Sequence, residues 1–501
     1  MTIPLSDRQK YRLLEMLPGV FVWGTFIAMF VVSFARPLWA MTFIILFDTY
    51  WLFRILYWLI YLFGSYKKFR HAIRVDWRAK IDALPESHEI YHAIFLPTVQ
   101  EPYEVIQTTF ESLKKSSFPN ERMIVVYALE ERTKEHALPI AERLAKEYDG
   151  VFRKILITIH PQDVPGEVKG KGANIAYAGR RFQEYVDTEL KVPYEQILVS
   201  SFDVDTCVHP QYFSYLTNVF LTTPNRLRTS YQPVPLFNNN IWDAPALMRV
   251  ASMGTTFWLM TEQLRPERLF TFSSHSMSFR ALVDVGFWQD DIVTEDSRIF
   301  LQCFLEYDGD YTITPLFLPV SMDTVLGDSL WESFQNLYKQ QRRWAWGSEH
   351  IPYMLWNFPR AKTIPWKRRW HYIWTIWEGM YSWATAPLVL FVMGRLPLLA
   401  AGSEIQRTAV FQSTPFILQI LMFLAMAGMA SIALMSLTII PPRPRYSSQY
   451  THVVMLFQWL LLPISMVLFG SFPAIESQTR LMLGKYLGFH VTKKVRKHAN
   501  V

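Results

Sequence analysis

Asp203 and Asp205 stand two residues apart at the end of the apolar run Ile197 to Phe202, in the string ILVSSFDVD. Side chains alternate along a strand, so two carboxylates at this spacing leave its end on the same side, where their hard oxygens can hold a divalent cation. A cation held by so few protein oxygens calls for phosphate. Further along come Thr294-Glu295-Asp296 and Gln340-Gln341-Arg342-Arg343-Trp344. The apolar neighbours Ile292, Val293, Ile299 and Phe300 would desolvate Asp296 and make it more basic. Gln340, Arg343 and Trp344 lie at i, i+3 and i+4, which is one face of a helix. Arg343 suits an anionic leaving group and Trp344 offers a flat apolar surface to a ring, although Arg and Trp also suit a membrane boundary. Lys171 and Asn174 follow Gly170 and Gly172 at an expected helix start, where a cation and backbone amides can face phosphate; Lys169 competes for that role. His275, in Phe272-Ser273-Ser274-His275-Ser276, is expected first to be a packed or surface histidine.

What positions these residues is a chain of two characters. Half of the 501 residues are hydrophobic, yet there are 50 Lys and Arg against 43 Asp and Glu. Charge is nearly absent from Met16 to Ala35, Pro37 to Phe63, Tyr372 to Gly394, Ala409 to Pro442 and Val453 to Ile475. Each window reaches the roughly 20 helical residues that a bilayer core requires. The first could be a cleaved signal peptide, but a second window follows at once, so an anchor is the better reading. The expected organisation is an N-terminal anchor of two helices over 1–65, a cytoplasmic domain over 66–370 with interfacial helices near 330–366, three or four crossings over 371–475, and a basic cytoplasmic tail over 476–501.

The side assignment comes from the basic residues. Lys67, Lys68, Arg70, Arg74, Arg78 and Lys80 follow the second window, and Lys362, Lys367, Arg368 and Arg369 precede the third. Lys485, Lys493, Lys494, Arg496 and Lys497 want the tail on the same side, which three crossings after the domain would prevent. Five or six crossings in total are expected, with Pro463 a candidate break for a re-entrant turn. Asp48, Arg54 and Glu378 would each cost about 2.5 to 3.5 kcal/mol at a bilayer centre, so they are expected near an interface, paired together, or lining a polar path. The net charge of +7 gathers beside the windows and fits anionic headgroups rather than nucleic acid. Two cysteines, Cys207 and Cys303, give neither a disulfide framework nor metal-ligand spacing.

Within the central domain, Ile90 to Leu96, Met123 to Leu129, Ile155 to Ile159 and Ile197 to Phe202 read as strands, with helices over Tyr103 to Ser116, Lys134 to Glu147 and Gly172 to Leu190. This alternation predicts an α/β domain with a mostly parallel sheet and a ligand crevice outside the carboxyl ends of its strands. Pro97, Thr98, Glu101, Glu130, Glu131, Asp203 and Asp205 fall there.

The string Pro97-Thr98-Val99-Gln100-Glu101, then Lys171-Gly172-Ala173-Asn174, Asp203-Val204-Asp205, Thr294-Glu295-Asp296 and Gln340 to Trp344, all in this order between apolar windows, resembles the processive family 2 glycosyltransferases, the membrane-embedded group of cellulose, chitin and hyaluronan synthases. The resemblance implies a cytoplasmic GT-A-like (Rossmann-like) domain flanked by transmembrane helices, in a multi-pass plasma-membrane protein. It implies that Asp205 coordinates Mg²⁺ or Mn²⁺ on the diphosphate of a nucleotide sugar, with Asp203 contacting the donor or supporting the metal. Asp296, with Glu295 and Thr294 in its motif, corresponds to the catalytic base. Pro97, Thr98, Glu101, Glu130, Lys171, Asn174 and Asp203 would bind the donor; Gln340, Arg343 and Trp344 would meet acceptor and diphosphate. Val99, Gln100 and Glu130 replace the family's usual tyrosine, asparagine and aspartate, so the base of the donor stays open between uridine and others. The implied partners are a nucleotide-sugar donor, a glycan or lipid acceptor and membrane lipids, with no nucleic acid. A single transfer to a lipid is the nearest alternative, and a channel gated by a nucleotide-responsive domain a more distant one.

Overall fold

The structure is a computed structural model that describes residues 6–488 and residue 496. Lys493, Lys494 and Lys497 of the basic tail lie outside the described residues. Two long helices come first, α1 (Asp7–Ala35) and α2 (Pro37–Ala72). Strand and helix then alternate as β1 (Tyr91–Pro97), α3 (Tyr103–Lys114), β2 (Met123–Glu130), α4 (Lys134–Glu147), β3 (Lys154–His160), α5 (Lys171–Tyr185) and β4 (Ile197–Ser201). The side-chain period explains why these strands read as unbroken apolar runs. In β2, Ile124, Val126 and Ala128 enter one core, shared with Ile175 and Phe182 of α5. Met123, Val125, Tyr127 and Leu129 enter the other, shared with Phe110 of α3 and Leu144 of α4. A parallel strand covered on both faces has no polar side to show.

The sheet continues through short or proline-bearing strands: β5 (Cys207–Val208), β6 (Thr229–Phe237), β7 (Ser276–Ser278) and β8 (Thr312–Met322). Its order is β3-β2-β1-β4-β7-β6-β8-β5. Strands β3, β2, β1 and β4 are parallel, as are β6 and β8, whereas β7 runs against both β4 and β6, and β5 against β8. The mostly parallel α/β domain is therefore present, with two short antiparallel insertions. Around it lie α6 (Ala246–Glu262), α7 (Glu295–Glu306), α8 (Leu330–Ala345), α9 (Trp366–Phe391), α10 (Ala409–Ser436) and a last helical run, Thr451–Met482.

Four helices, α1, α2, α10 and Thr451–Met482, are long and apolar enough to cross a membrane, and α9 with Met393–Ala400 makes a fifth if that bent pair is one span. The lower of the expected counts, five, is reached only if that bent pair is one span and every one of these helices crosses. The end of α2 and the end of α10 reach the sheet domain together: Tyr66 donates to Thr438 at 2.8 Å, Asn238 to the carbonyl of Ile439 at 3.0 Å and Trp242 to that of Pro441 at 3.2 Å. Both ends of Thr451–Met482 touch this same side. His452 stacks edge-on to Trp242, while Glu476 accepts from Arg342 of α8 at 2.6 Å and the carbonyl of Leu481 from Arg12 at 2.7 Å.

The charged residues of the apolar windows behave as their cost demands. Arg54 of α2 donates to both oxygens of Glu378 on α9, and Arg268 donates to the same carboxylate at 3.1 Å. The rings of Tyr50, Trp51 and Trp58 surround the Arg54 guanidinium at 4.9 to 5.9 Å. Arg54 and Glu378 thus pair, one of the expected arrangements; Asp48 is buried apart from them. Removing Glu378 leaves two guanidinium groups without their shared anion. E378A is expected to lose about 3 kcal/mol, read by thermal unfolding in detergent, and R268A distinctly less because the Arg54 pair survives.

Candidate functional site

Strand β4 delivers the first acids. Past its end, Phe202 donates to the carbonyl of Phe95 at 3.0 Å, Thr206 to that of Asp203 at 2.9 Å, and Thr109 to that of Val204 at 2.6 Å, which fixes the Asp203–Asp205 turn. The chain then enters β5, and the pairing of Cys207 with Ser321 of β8 brings Asp323 alongside. The backbone N–H of Asp323 donates to Asp205 Oδ2 at 2.9 Å, and both carboxylates are buried. Arg496 in turn donates to Asp323 Oδ1 at 2.7 Å, so a guanidinium sits on this acidic corner. Among the described residues no three His, Cys, Asp or Glu side chains form a ready-made metal cage.

Helix α5 delivers the central cation. Lys171, 7% exposed, donates its ammonium to Asp203 Oδ1 at 2.9 Å and to Asp296 Oδ2 at 2.8 Å. Desolvation acts against its charge, but Asp203, Asp296 and Glu295 prevail and hold its pKa above the usual lysine range. Gly172 makes the approach possible: a Cβ there would lie 2.9 Å from the carbonyl of Gln289 and 3.2 Å from Cβ of Glu295. Asn174 bonds the carbonyl of Ala128 at 3.0 Å, which ties the helix start to β2.

Helix α7 delivers the third acid. Asp296 lies in its first turn, and Glu295 beside it is buried. Burial first, and the charge of Asp296 second, push the Glu295 carboxyl up to about 8. His275 is wholly buried, not at the surface, with Nδ1 donating to the carbonyl of Phe272 at 2.9 Å and standing 3.8 Å from Asp296 Oδ1. Burial lowers its pKa. The position follows from β7: Ser201 at the end of β4 donates to the carbonyl of His275 at 2.9 Å.

Helix α8 brings up the other wall. Gln340 and Trp344 share a small cavity with Asp323, Phe237 and Leu337, and Trp344 packs against Phe237 at 6.0 Å between ring centres. Arg343 lies near enough to Glu295 to oppose its rise in pKa. Thr294 does not face the cleft; its hydroxyl donates to Glu349, a residue the sequence reading passed over.

The ends of β2 and β3 frame a separate cavity of about 290 Å³, lined in part by Glu130, Arg132, His160, Glu167, Lys169 and Gly170. Glu130 pairs with Arg132, and His160 with Glu167 at 2.8 Å. Pro97 closes β1, and the buried Thr98 donates its N–H to Ala128 at 2.9 Å. Glu101 accepts from the N–H groups of Val99 at 2.8 Å and Gln100 at 3.1 Å, so it shapes the turn at the mouth. Arg132, His160, Asp323, Glu349 and His350 were not found by motif. Only Asp323 carries a usable signal, an acid just past a strand end.

The raised Glu295 pKa has a consequence for stability. Between the ordinary carboxyl value and about 8, the folded protein holds a proton that the unfolded chain has lost, so stability falls as pH rises through this window. E295Q is expected to flatten that decline, measured as the midpoint of thermal unfolding from pH 5 to pH 8.

The sequence model of the Glycosyl transferase family group 2 matches residues 198–470, more than half of the chain. No curated protein sequence matches it. Among solved structures, the mannosyltransferase PcManGT from Pyrobaculum calidifontis in complex with GDP-Man and Mn²⁺ is similar at a TM-score of 0.45, with 14% identity over 77% of this chain and 98% of that one. TarS 1–349 from S. aureus is similar at a TM-score of 0.33, with 12% identity over 68% of this chain and 89% of that one. With its motifs gathered at the carboxyl edge of a mostly parallel sheet, the chain belongs to the family 2 glycosyltransferases, which transfer sugar from nucleotide-sugar donors.

Proposed function

We propose that the protein is an inverting, metal-dependent synthase that extends a polysaccharide from a nucleotide sugar, best a uridine diphosphate sugar, at the cytoplasmic face of the plasma membrane, and passes the product along its own helices. One observation carries the reading: Asp203 and Asp296, 93 residues apart in sequence, bond the same Lys171 ammonium. A donor contact and a base held by one ammonium serve the same reaction centre. The acceptor oxygen attacks the anomeric carbon, the bond from that carbon to the diphosphate oxygen breaks, and the hydroxyl proton passes to Asp296. One base suffices, whereas a glycosidase needs a second carboxyl to protonate its leaving group.

Asp205 and Asp203 would hold Mg²⁺ or Mn²⁺, which when bound neutralises the departing diphosphate. The corner favours positive charge, since Asp323 adjoins Asp205 and already draws Arg496. The cavity at Glu130 and His160 suits the nucleoside; Thr98 and Asn174 both bond the carbonyl of Ala128, two residues before Glu130, and Glu101 holds the turn after β1. Arg343 adds a cation on the leaving-group side, and Gln340 and Trp344 present the acceptor surface.

For the membrane, α1, α2, α9 and α10 are the crossings, and Thr451–Met482 lies along the boundary. This assignment rests on the contacts of both its ends with the domain side, and it leaves the basic tail in the cytoplasm. Single cysteines at Gly488 and Gly402 should label from opposite sides in oriented vesicles; labelling of both from one side would defeat it.

Detergent-purified protein supplied with Mn²⁺ and a panel of uridine and guanosine diphosphate sugars should release nucleoside diphosphate. D205A and D296N are each expected to lose at least about 100-fold of this turnover while remaining folded. Long product chains support the synthase; a lipid bearing one sugar would replace it with the single-transfer reading. Full rates in both variants would remove the site assignment.

A further inference from the structure

Thr294 occupies the N-cap of α7 but makes no side-chain capping bond. A threonine there ordinarily accepts from an N–H of the first turn, an interaction worth about 1 kcal/mol. Here the hydroxyl turns away and donates to Glu349 Oε1. The second oxygen of Glu349 accepts from Trp346 Nε1 at 2.8 Å, and Trp346 directly follows α8. The next residue makes a matching contact. Arg298 Nε donates to His350 Nδ1 at 3.2 Å, so the proton of this imidazole is on Nε2, which donates to Ser297 Oγ at 2.7 Å. Burial and the Arg298 charge hold His350 well below the usual histidine range, which keeps it in this neutral form. Arg298 is itself fixed by Gln289 at 2.9 Å and by the face of Tyr353 at 3.8 Å.

Two consecutive residues therefore grip the residues immediately before and after Glu295-Asp296. The geometry points to Glu349 and His350 as positioning residues that orient Asp296 from the turn Trp346–Glu349 and the helix His350–Asn357, which directly follow the helix bearing Gln340, Arg343 and Trp344. Neither touches the cleft. Their effect runs through Thr294 and Ser297, which set the rotation of the first turn of α7 and with it the direction of the Asp296 carboxylate. The arrangement also ties base to acceptor surface: any shift of α8 moves Trp346, then Glu349, then the start of α7. A desolvated carboxylate with two donors and a neutral histidine with one donor and one acceptor are rigid because each bond is matched.

The inference rests on Asp296 being the base of the proposed transfer, and its test separates the two. In steady-state turnover of the donor that the panel identifies, E349A and H350A should lower kcat by roughly 10- to 100-fold, as expected for misplacement of a reacting group by about 1 Å. Donor KM should stay within about twofold, since the donor cavity is untouched. H350Q keeps an N–H aimed at Ser297 and should recover most of the loss. The double alanine variant should fall short of the product of the single losses, because both act on one turn. Full kcat in both alanine variants, or a raised KM at unchanged kcat, overturns the proposal. Should the native protein turn over no donor, the transferase reading fails first, and hydrogen exchange then decides the bracket alone. The amides from Val293 to Ile299 should exchange faster in E349A and H350A while β1 to β4 keep native protection, which also shows that the variants are folded. Unchanged protection from Val293 to Ile299 overturns it.

Discussion

An ammonium group between two carboxylates is the contact on which the rest of the site depends. Asp203, Asp205, Glu295, Asp296 and Asp323 converge on one cleft, and a cluster of like charges in partly buried surroundings is stable only with matched cations. Lys171 meets Asp203 and Asp296, Arg496 meets Asp323, and Arg343 acts on Glu295. What remains beyond their reach is relieved by protonation, and the raised pKa falls on Glu295, which is buried directly beside the charge of Asp296. A site balanced this way can exchange one set of charges for another with little movement of its frame.

The frame is a sheet of two parallel groups joined by a short antiparallel strand. The group β3-β2-β1-β4 ends in the cavity at Glu130 and His160 and the Asp203–Asp205 turn, while β6 and β8 end at Phe237 and Asp323 beside Gln340 and Trp344. Strand β7 joins them and pins His275 against Asp296. The two-residue β5 adds to this: its pairing with β8, together with Asn239, which donates to the carbonyls of both Asp205 and Met322, holds Asp323 beside Asp205.

This division also explains what could be read from the sequence. Strands β1 to β4 were legible because burial on both faces leaves uninterrupted Val, Ile and Leu, and the helices between them carry clear apolar faces. Strands β6 and β8 were not, because Pro233, Pro235, Pro315 and Pro319 argue against a central strand; the sheet accommodates them with a register shift between Pro233 and Pro235. The site followed the same rule. Lys171, Asp203, Asp205, Asp296 and Arg343 stand in short strings whose chemistry is local. Asp323, Glu349 and His350 owe their places to tertiary pairing, and His275 reads as a packing residue until β7 sets it beside Asp296.

The helices at the lipid boundary act as part of the same machine because their polar groups have nowhere else to go. Glu378 in α9 is held by Arg54 from α2 and by Arg268, which lies seven residues before His275 on the segment that becomes β7. The other end of the bundle meets α8, where Glu476 accepts from Tyr338 and Arg342 and Ser477 donates to the carbonyl of Arg342. An ion pair shut between helices exchanges its partners for water less readily than a surface pair does, so these contacts persist where surface pairs would come and go. Helix α8 and the β7 segment are therefore fastened to the bundle independently, one through Glu476 and the other through Glu378. The cleft between them can keep its width only if α9 and Thr451–Met482 keep theirs, and the packing of Ser471 and Gly470 on Trp383 joins those two directly.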